Sequence, residues 1–275
     1  MDTRPIGIFD SGVGGTTVFN EIIRKMPNEN TIYIGDTKHF PYGDKDKEEV
    51  LQYAKQITDF LIAKNVKAII IACNTATSYA AEYLRKQYNI PIIGTILPTM
   101  EYIKKEEKLK KVGVIATEGT IKKNAWKEAI QKTCDRKIEV LNKACPLFAT
   151  VVENGDVHNE KTKQIIRSYM EIFKKNKIDG LILGCTHYPA YEELLKDELG
   201  YPITIINPAS KISNTLYETL KKKNLLNEGK DTFHDCYITD MTKKEKFAEV
   251  ANQLLNCQIE LKVEEIKEMK VEEEK

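Results

Sequence analysis

Ala68-Ile-Ile-Ile-Ala-Cys73-Asn-Thr75 and Gly180-Leu-Ile-Leu-Gly-Cys185-Thr-His187-Tyr-Pro189 share one plan. Each is a short apolar run that ends at a cysteine, carries a hydroxyl-bearing residue just beyond it, and leads into a helical pattern. Other segments repeat in step. Pro5-Ile-Gly-Ile-Phe-Asp10-Ser11-Gly12 aligns with Lys111-Val-Gly-Val-Ile-Ala116-Thr117-Glu-Gly119, and Pro91-Ile-Ile-Gly-Thr-Ile96 aligns with Pro202-Ile-Thr-Ile-Ile-Asn207. The offsets are 106 from Gly7 to Gly113, 112 between the cysteines and 111 between the prolines. Such a spacing is far too long for a solenoid repeat. It implies two similar halves that bring two thiols to one place. Opposed thiols suit a reaction in which a proton leaves one face of a carbon and returns on the other.

The short β-branched runs predict strands at Ile6–Asp10, Thr31–Gly35, Ala68–Ala72, Pro91–Ile96, Val112–Ala116, Ile138–Leu141, Gly180–Leu183 and Ile203–Ile206. Between them lie helical periodicities, such as Val50, Tyr53, Ala54, Ile57, Phe60 and Leu61, and Ile165, Ile166, Tyr169, Met170 and Phe173. Continuous apolar strands alternating with helices indicate parallel sheets buried on both faces. The fold class is therefore α/β, with two similar parallel-sheet domains facing each other across a pseudo-twofold cleft. The expected division is 1–97 plus 208–275 for the first domain and 98–207 for the second. The segment from Ala209 reads as mostly helical and is expected to return to the first half. The Lys- and Glu-rich tail from Lys262 to Lys275 reads as a frayed or solvated helix without chemistry.

Composition narrows the function. A chain of 275 residues, 41% hydrophobic and 30% charged, is long enough for two packed cores. Lys+Arg number 42 and Asp+Glu 41, so no global field draws nucleic acid or an acidic membrane. No run approaches the ~20 apolar residues of a membrane helix. The first residues lack a signal-peptide pattern, so a cytoplasmic protein is expected. Its six cysteines are then expected as thiols rather than disulfides. Cys185-x-His187 lacks the paired Cys-x₂₋₄-Cys or His-x₃₋₅-His spacing of a structural zinc site, and Cys-x-x-Cys is absent, so no metal is expected.

Ligands of parallel sheets bind beyond the carboxyl ends of the strands. Asp10-Ser11, Asp36-Thr37, Cys73-Asn74-Thr75, Thr117, Thr120 and Cys185-Thr186-His187 occupy such ends. A cysteine that opens a helix has the positive dipole end beside it, which favours thiolate. Pro189 suits the first turn after Cys185. The glycines of Asp10-Ser-Gly-Val-Gly-Gly15 fail the dinucleotide fingerprint and read as a turn whose N–H groups approach a small anion such as a carboxylate. Phe40-Pro41-Tyr42-Gly43 reads as a loop, and Glu153 as an acid near a turn.

Taken together, Gly7-Ile-Phe-Asp-Ser-Gly-Val-Gly-Gly15, Tyr33-Ile-Gly-Asp36, Pro41-Tyr42-Gly43, Ala72-Cys-Asn-Thr-Ala76, Pro91-Ile-Ile-Gly94, Ala116-Thr-Glu-Gly-Thr120 and Leu183-Gly-Cys-Thr-His-Tyr-Pro189 resemble the glutamate racemase family. The resemblance covers roughly residues 6 to 189. It departs at Asn207-Pro208, where that family often has Asp-Ser. The resemblance implies a cofactor-independent enzyme that supplies D-glutamate for peptidoglycan. It implies Cys73 and Cys185 as the two acid/base residues, Cys73 acting on the D-enantiomer and Cys185 on the L-enantiomer. Asp10 and His187 would assist them, with Asp36 and Glu153 as further candidates. Asp10, Ser11, Pro41, Tyr42, Gly43, Asn74, Thr75, Thr117, Thr120, Thr186 and His187 would bind or border glutamate. A homodimer is expected on the same ground. A racemase or decarboxylase of another small acid, and a binding protein that keeps the fold, are the alternatives.

Overall fold

The computed structural model describes residues 1–255 and the backbone of 262–265. In chain order the elements are β1 (Ile6–Asp10), α1 (Thr16–Lys25), β2 (Thr31–Gly35), α2 (Lys47–Ala63), β3 (Ala68–Ile71), α3 (Asn74–Gln87), β4 (Ile92–Ile93) and α4 (Ile96–Lys105). Then come β5 (Lys111–Ala116), α5 (Glu118–Lys123), α6 (Ala125–Thr133), β6 (Glu139–Ala144), α7 (Pro146–Glu153), α8 (Glu160–Asn176), β7 (Gly180–Gly184), α9 (Glu192–Leu199) and β8 (Thr204–Ile206). The chain ends with α10 (Pro208–Lys222), β9 (His234–Ile238), α11 (Lys244–Leu254) and β10 (Lys262–Glu265).

Two sheets result, with strand orders β10-β9-β2-β1-β3-β4 and β6-β5-β7-β8. Every pairing in both is parallel. The two central strands carry the repeated glycines. A Cβ on Gly7 would lie 2.9 Å from Leu61 of α2, and a Cβ on Gly113 2.8 Å from Phe173 of α8. In each half the missing side chain lets a helix press on the middle of the sheet. The buried faces of those helices are the periodic ones: Val50, Ala54, Ile57 and Leu61 on α2, and Ile166, Met170 and Phe173 on α8. One apolar cluster joins the halves, running from Ile8, Phe19 and Tyr33 to Phe148, Leu183 and Tyr188.

Several boundaries differ from the sequence expectation. The Pro91–Ile96 strand shrinks to Ile92–Ile93, because Gly94 packs on the Thr77 side chain and α4 already starts at Ile96. β6 runs on to Ala144, following the full length of β5. The helical reading after Ala209 misses β9, which pairs with β2 from His234↔Thr31 to Ile238↔Gly35. His234-Asp-Cys-Tyr-Ile238 is too polar to announce a strand, and its pairing with a distant strand supplies the order. In the tail, Lys262–Glu265 is a strand beside β9 rather than a helix, and residues 266–275 lie outside the described residues. The Lys pair at 104–105 and the run at 221–223 are exposed on helix ends. Among the described residues, no helix is long and apolar enough to cross a membrane.

At the amino ends of the first sheet, Lys67 and Glu29 form a fully buried ion pair with Nζ 2.5 Å from Oε2. Lys67 also donates to the Asp2 carbonyl, and Glu29 accepts from the Asn227 N–H. The pair thus ties the chain start and the segment before β9 to the sheet. Removing one partner strands a charge in the interior. Glu29→Gln is expected to lower unfolding free energy by about 3–5 kcal/mol, and adding Lys67→Met should recover part of it. Urea titration at neutral pH measures both, and a single variant as stable as the parent would contradict this account.

Candidate active site

The carboxyl ends of the two sheets meet over one small cavity, ≈ 20 Å³ in volume. That is room for about one water. Cys73 and Cys185 both line it, one from each sheet, and both are buried. The wall continues with Ser11 after β1, Asn74 and Thr75 at the start of α3, and Thr117 after β5. Thr186 and His187 follow Cys185, and Pro41, Tyr42 and Gly43 close the side. Phe40 and Ala149 line it too. Phe40 adjoins the Pro41-Tyr42-Gly43 loop, whereas nothing in the sequence singles out Ala149.

The two thiols sit in different surroundings. Cys73 is the N-cap of α3, and its Sγ accepts from the Ala76 N–H at 3.5 Å. It also lies 4.0 Å from Ser11 Oγ, which in turn reaches Asp10 Oδ1. Cys185 precedes a 3₁₀ turn, Tyr188–Tyr191, and α9 begins only at Glu192. Pro189 therefore starts a 3₁₀ turn and not the α-helix expected there. In place of a helix cap, Cys185 Sγ has His187 Nδ1 at 3.5 Å, and His187 Nε2 is 2.8 Å from Glu153 Oε1.

Electrostatics widen the difference. Burial pushes the Cys73 thiol well up, and the neighbouring Asp10 and Cys185 push the same way. The helix N–H groups of Ala76 and Thr75 work in the opposite direction but do not prevail. The thiolate-favouring effect expected of the helix start is thus outweighed by desolvation. His187 behaves inversely. Burial would lower it, but the hydrogen bonds to Cys185 and Glu153 hold it well above the ordinary imidazole range. Burial also raises the Asp10 carboxyl, against the pull of His187 and the Gly12 and Thr186 hydrogen bonds.

Four expected residues stand behind the cavity wall. Asp10 accepts from the Gly12 N–H and from Thr186 Oγ1 of the other half, at 3.1 Å each. Glu153 backs His187 and accepts from the Val13 N–H at 3.0 Å. The glycine loop therefore meets two carboxylates of the protein itself, and Gly12 and Gly14 have no side chain because Glu153 and His187 occupy that space. Thr120 supports Thr117 and Thr75 through their hydroxyls. Asp36 is fully buried and accepts from Tyr42 OH and Thr239 Oγ1 at 2.6 Å each, with His39 Nδ1 at 2.9 Å. It anchors the Tyr42 loop and does not reach the cavity. Thr239 lies 203 residues along the chain, so no local signal could have joined it to Asp36. Asn74 is fixed by Thr95 Oγ1 at 2.8 Å. Among the described residues, no three His, Cys, Asp or Glu side chains converge as metal ligands.

A family model described as Asp/Glu/Hydantoin racemase matches residues 6–211, which include strands β1 to β8 and every residue of the cavity wall. The chain belongs to this racemase family. Within the family it is 39% identical to the glutamate racemase of Pediococcus pentosaceus over 268 residues, 97% of this chain and 99% of that one. The crystal structure of glutamate racemase RacE1 from Bacillus anthracis superposes with a TM-score of 0.90 at 37% identity, covering 97% of this chain and 98% of that one. The Francisella tularensis glutamate racemase, crystallised with D-glutamate, gives 0.89 at 36% identity with the same coverage.

The His187 relay has a direct consequence. Its charge contributes stability that is complete below the unfolded value near 6.5 and is lost as pH rises through the raised folded value. Glu153→Gln removes one of the two supports, so the His187 titration should move down and the window should narrow. NMR of the imidazole ring reads this, and an unmoved titration would contradict the relay.

Proposed function

We propose that this protein interconverts L- and D-glutamate by two-base proton transfer between Cys73 and Cys185, without a cofactor. The observation that carries the reading is the convergence of both thiols on one small cavity, each from its own sheet. The family and the near-full-length identity to glutamate racemases support it.

The chemical obstacle is the weak acidity of a carbon beside a carboxylate. Cys185, as thiolate with the His187 imidazolium as counter-ion, takes the α-proton of L-glutamate and becomes a thiol. The electron pair left on carbon spreads into the carboxylate. Cys73, held as a thiol by burial, delivers its proton to the opposite face and is left as thiolate, yielding D-glutamate. The reverse reaction exchanges the roles. The developing charge on the carboxylate needs fixed donors in a dry site. The hydroxyls of Ser11, Thr75, Thr117 and Thr186 and the amide of Asn74 border the cavity and can supply them. Asp10 and Glu153 act from behind, on Ser11 and Thr186 and on His187, while Asp36 holds the Tyr42 loop. The supply of D-glutamate for peptidoglycan in the cytoplasm belongs to this reading. So does a homodimer, which light scattering tests.

Cys73→Ala and Cys185→Ala should each lower racemisation in both directions by roughly 10²–10⁴-fold or more, the range lost with a general acid or base. Chiral chromatography of either glutamate enantiomer after incubation with reduced enzyme measures this. A single variant that keeps the parent rate would sink the two-base assignment.

A further inference from the structure

Three pieces meet beside the cavity: the 3₁₀ turn Tyr42–Asp44, α3 and α5. Tyr79 on α3 donates its hydroxyl to the Gly119 carbonyl of α5 at 3.1 Å. Thr75 lies one helical turn earlier on the same face and meets Thr117 Oγ1 at 2.9 Å. Backbones approach as closely here as glycine permits. A Cβ on Gly119 would stand 3.1 Å from the Gly43 carbonyl oxygen, and a Cβ on Gly43 2.7 Å from Thr117 Cβ. Outside this seam opens a charged cleft of ≈ 600 Å³, with Asp44 and Lys45 on one bank and Glu118 and Lys122 on the other. Gly43 borders both the cleft and the inner cavity, and Tyr79 borders the cleft alone. The inner cavity is several times too small for an amino acid, so some wall has to part before one can enter. At this seam the two halves are held by hydroxyl contacts.

We propose that Tyr79 is the latch of this seam. Its hydrogen bond to Gly119 holds α5, and with it Thr117 and Thr120, closed over the bound amino acid, and the charged cleft outside is the route of access. The inference rests on the racemase reading of the cavity. Tyr79 is a positioning residue, since it does not touch the cavity. Tyr79→Phe keeps the ring and removes only the hydroxyl.

Two measurements test the latch. Hydrogen exchange of the 117–124 backbone, followed by mass spectrometry without substrate, should be faster in Tyr79→Phe than in the parent. In steady-state assays KM for both enantiomers should rise by about 2- to 10-fold, the span of one net hydrogen bond, with kcat not reduced. The change in kcat/KM should be equal in the two directions, because the enantiomers have equal free energies. Gly119→Ala widens the same seam sterically and should act in the same direction, which covers failure of the first variant to fold. Unchanged exchange would overturn the latch, as would unchanged KM. A fall in kcat at constant KM would overturn it too, since that is the mark of a smaller active fraction. The exchange measurement needs no turnover. A parent enzyme inert toward glutamate would thus defeat the racemase reading alone, while normal turnover with unaltered exchange and KM would defeat the latch alone.

Discussion

Two strand ends from separate sheets have to meet over one carbon-sized space, and much of this structure follows from that constraint. A buried polar group must find a partner. At this junction the partners come from the opposite half. Thr186 donates to Asp10, the Val13 N–H donates to Glu153, and Thr75 shares its hydroxyl with Thr117. The cavity is therefore completed only when the halves are together. The same contacts that satisfy the polar groups also exclude water, which strengthens every electrostatic interaction inside.

The internal repeat is a repeat of architecture and not of chemistry. Both cysteines follow a central parallel strand, but one caps a helix and the other leans on a histidine. Desolvation governs Cys73, whose thiol is held neutral by burial and by Asp10. On the Cys185 side, the Glu153–His187 pair places positive charge beside the sulfur. A two-base exchange requires one thiolate and one thiol at the outset, and the two sulfurs stand in unlike surroundings. Charge moves from one sulfur to the other in turnover, so neither setting can be too strong.

What could be read from the sequence followed from local pattern. The apolar strands were legible because parallel strands buried on both faces are continuous apolar runs. The polar residues at their ends were legible because a parallel sheet gathers them at one edge. Cys73, Cys185, Ser11, Thr75 and His187 reach the same cavity for that reason. What was not legible depends on distant chain. β9 carries a weak apolar pattern and is ordered by β2. The Asp36–Thr239 bond joins residues 203 apart. The helix start that would lower the Cys73 thiol is visible in sequence, while the depth of burial that raises it is not. Tyr79 carries no signal in sequence, because an aromatic on a helix reads as packing and its hydroxyl crosses to the other half only in the fold.

The central claim is that different sulfurs serve the two faces of the substrate carbon. The most direct measurement follows deuterium in D₂O during the first few per cent of conversion of L-glutamate, with mass analysis of both separated enantiomers. Under two-base transfer the D-glutamate formed carries deuterium at the α-carbon from the outset, while the remaining L-glutamate stays largely unlabelled. Substantial return of the original protium into early D-glutamate would mean that one base serves both faces, and would contradict the account.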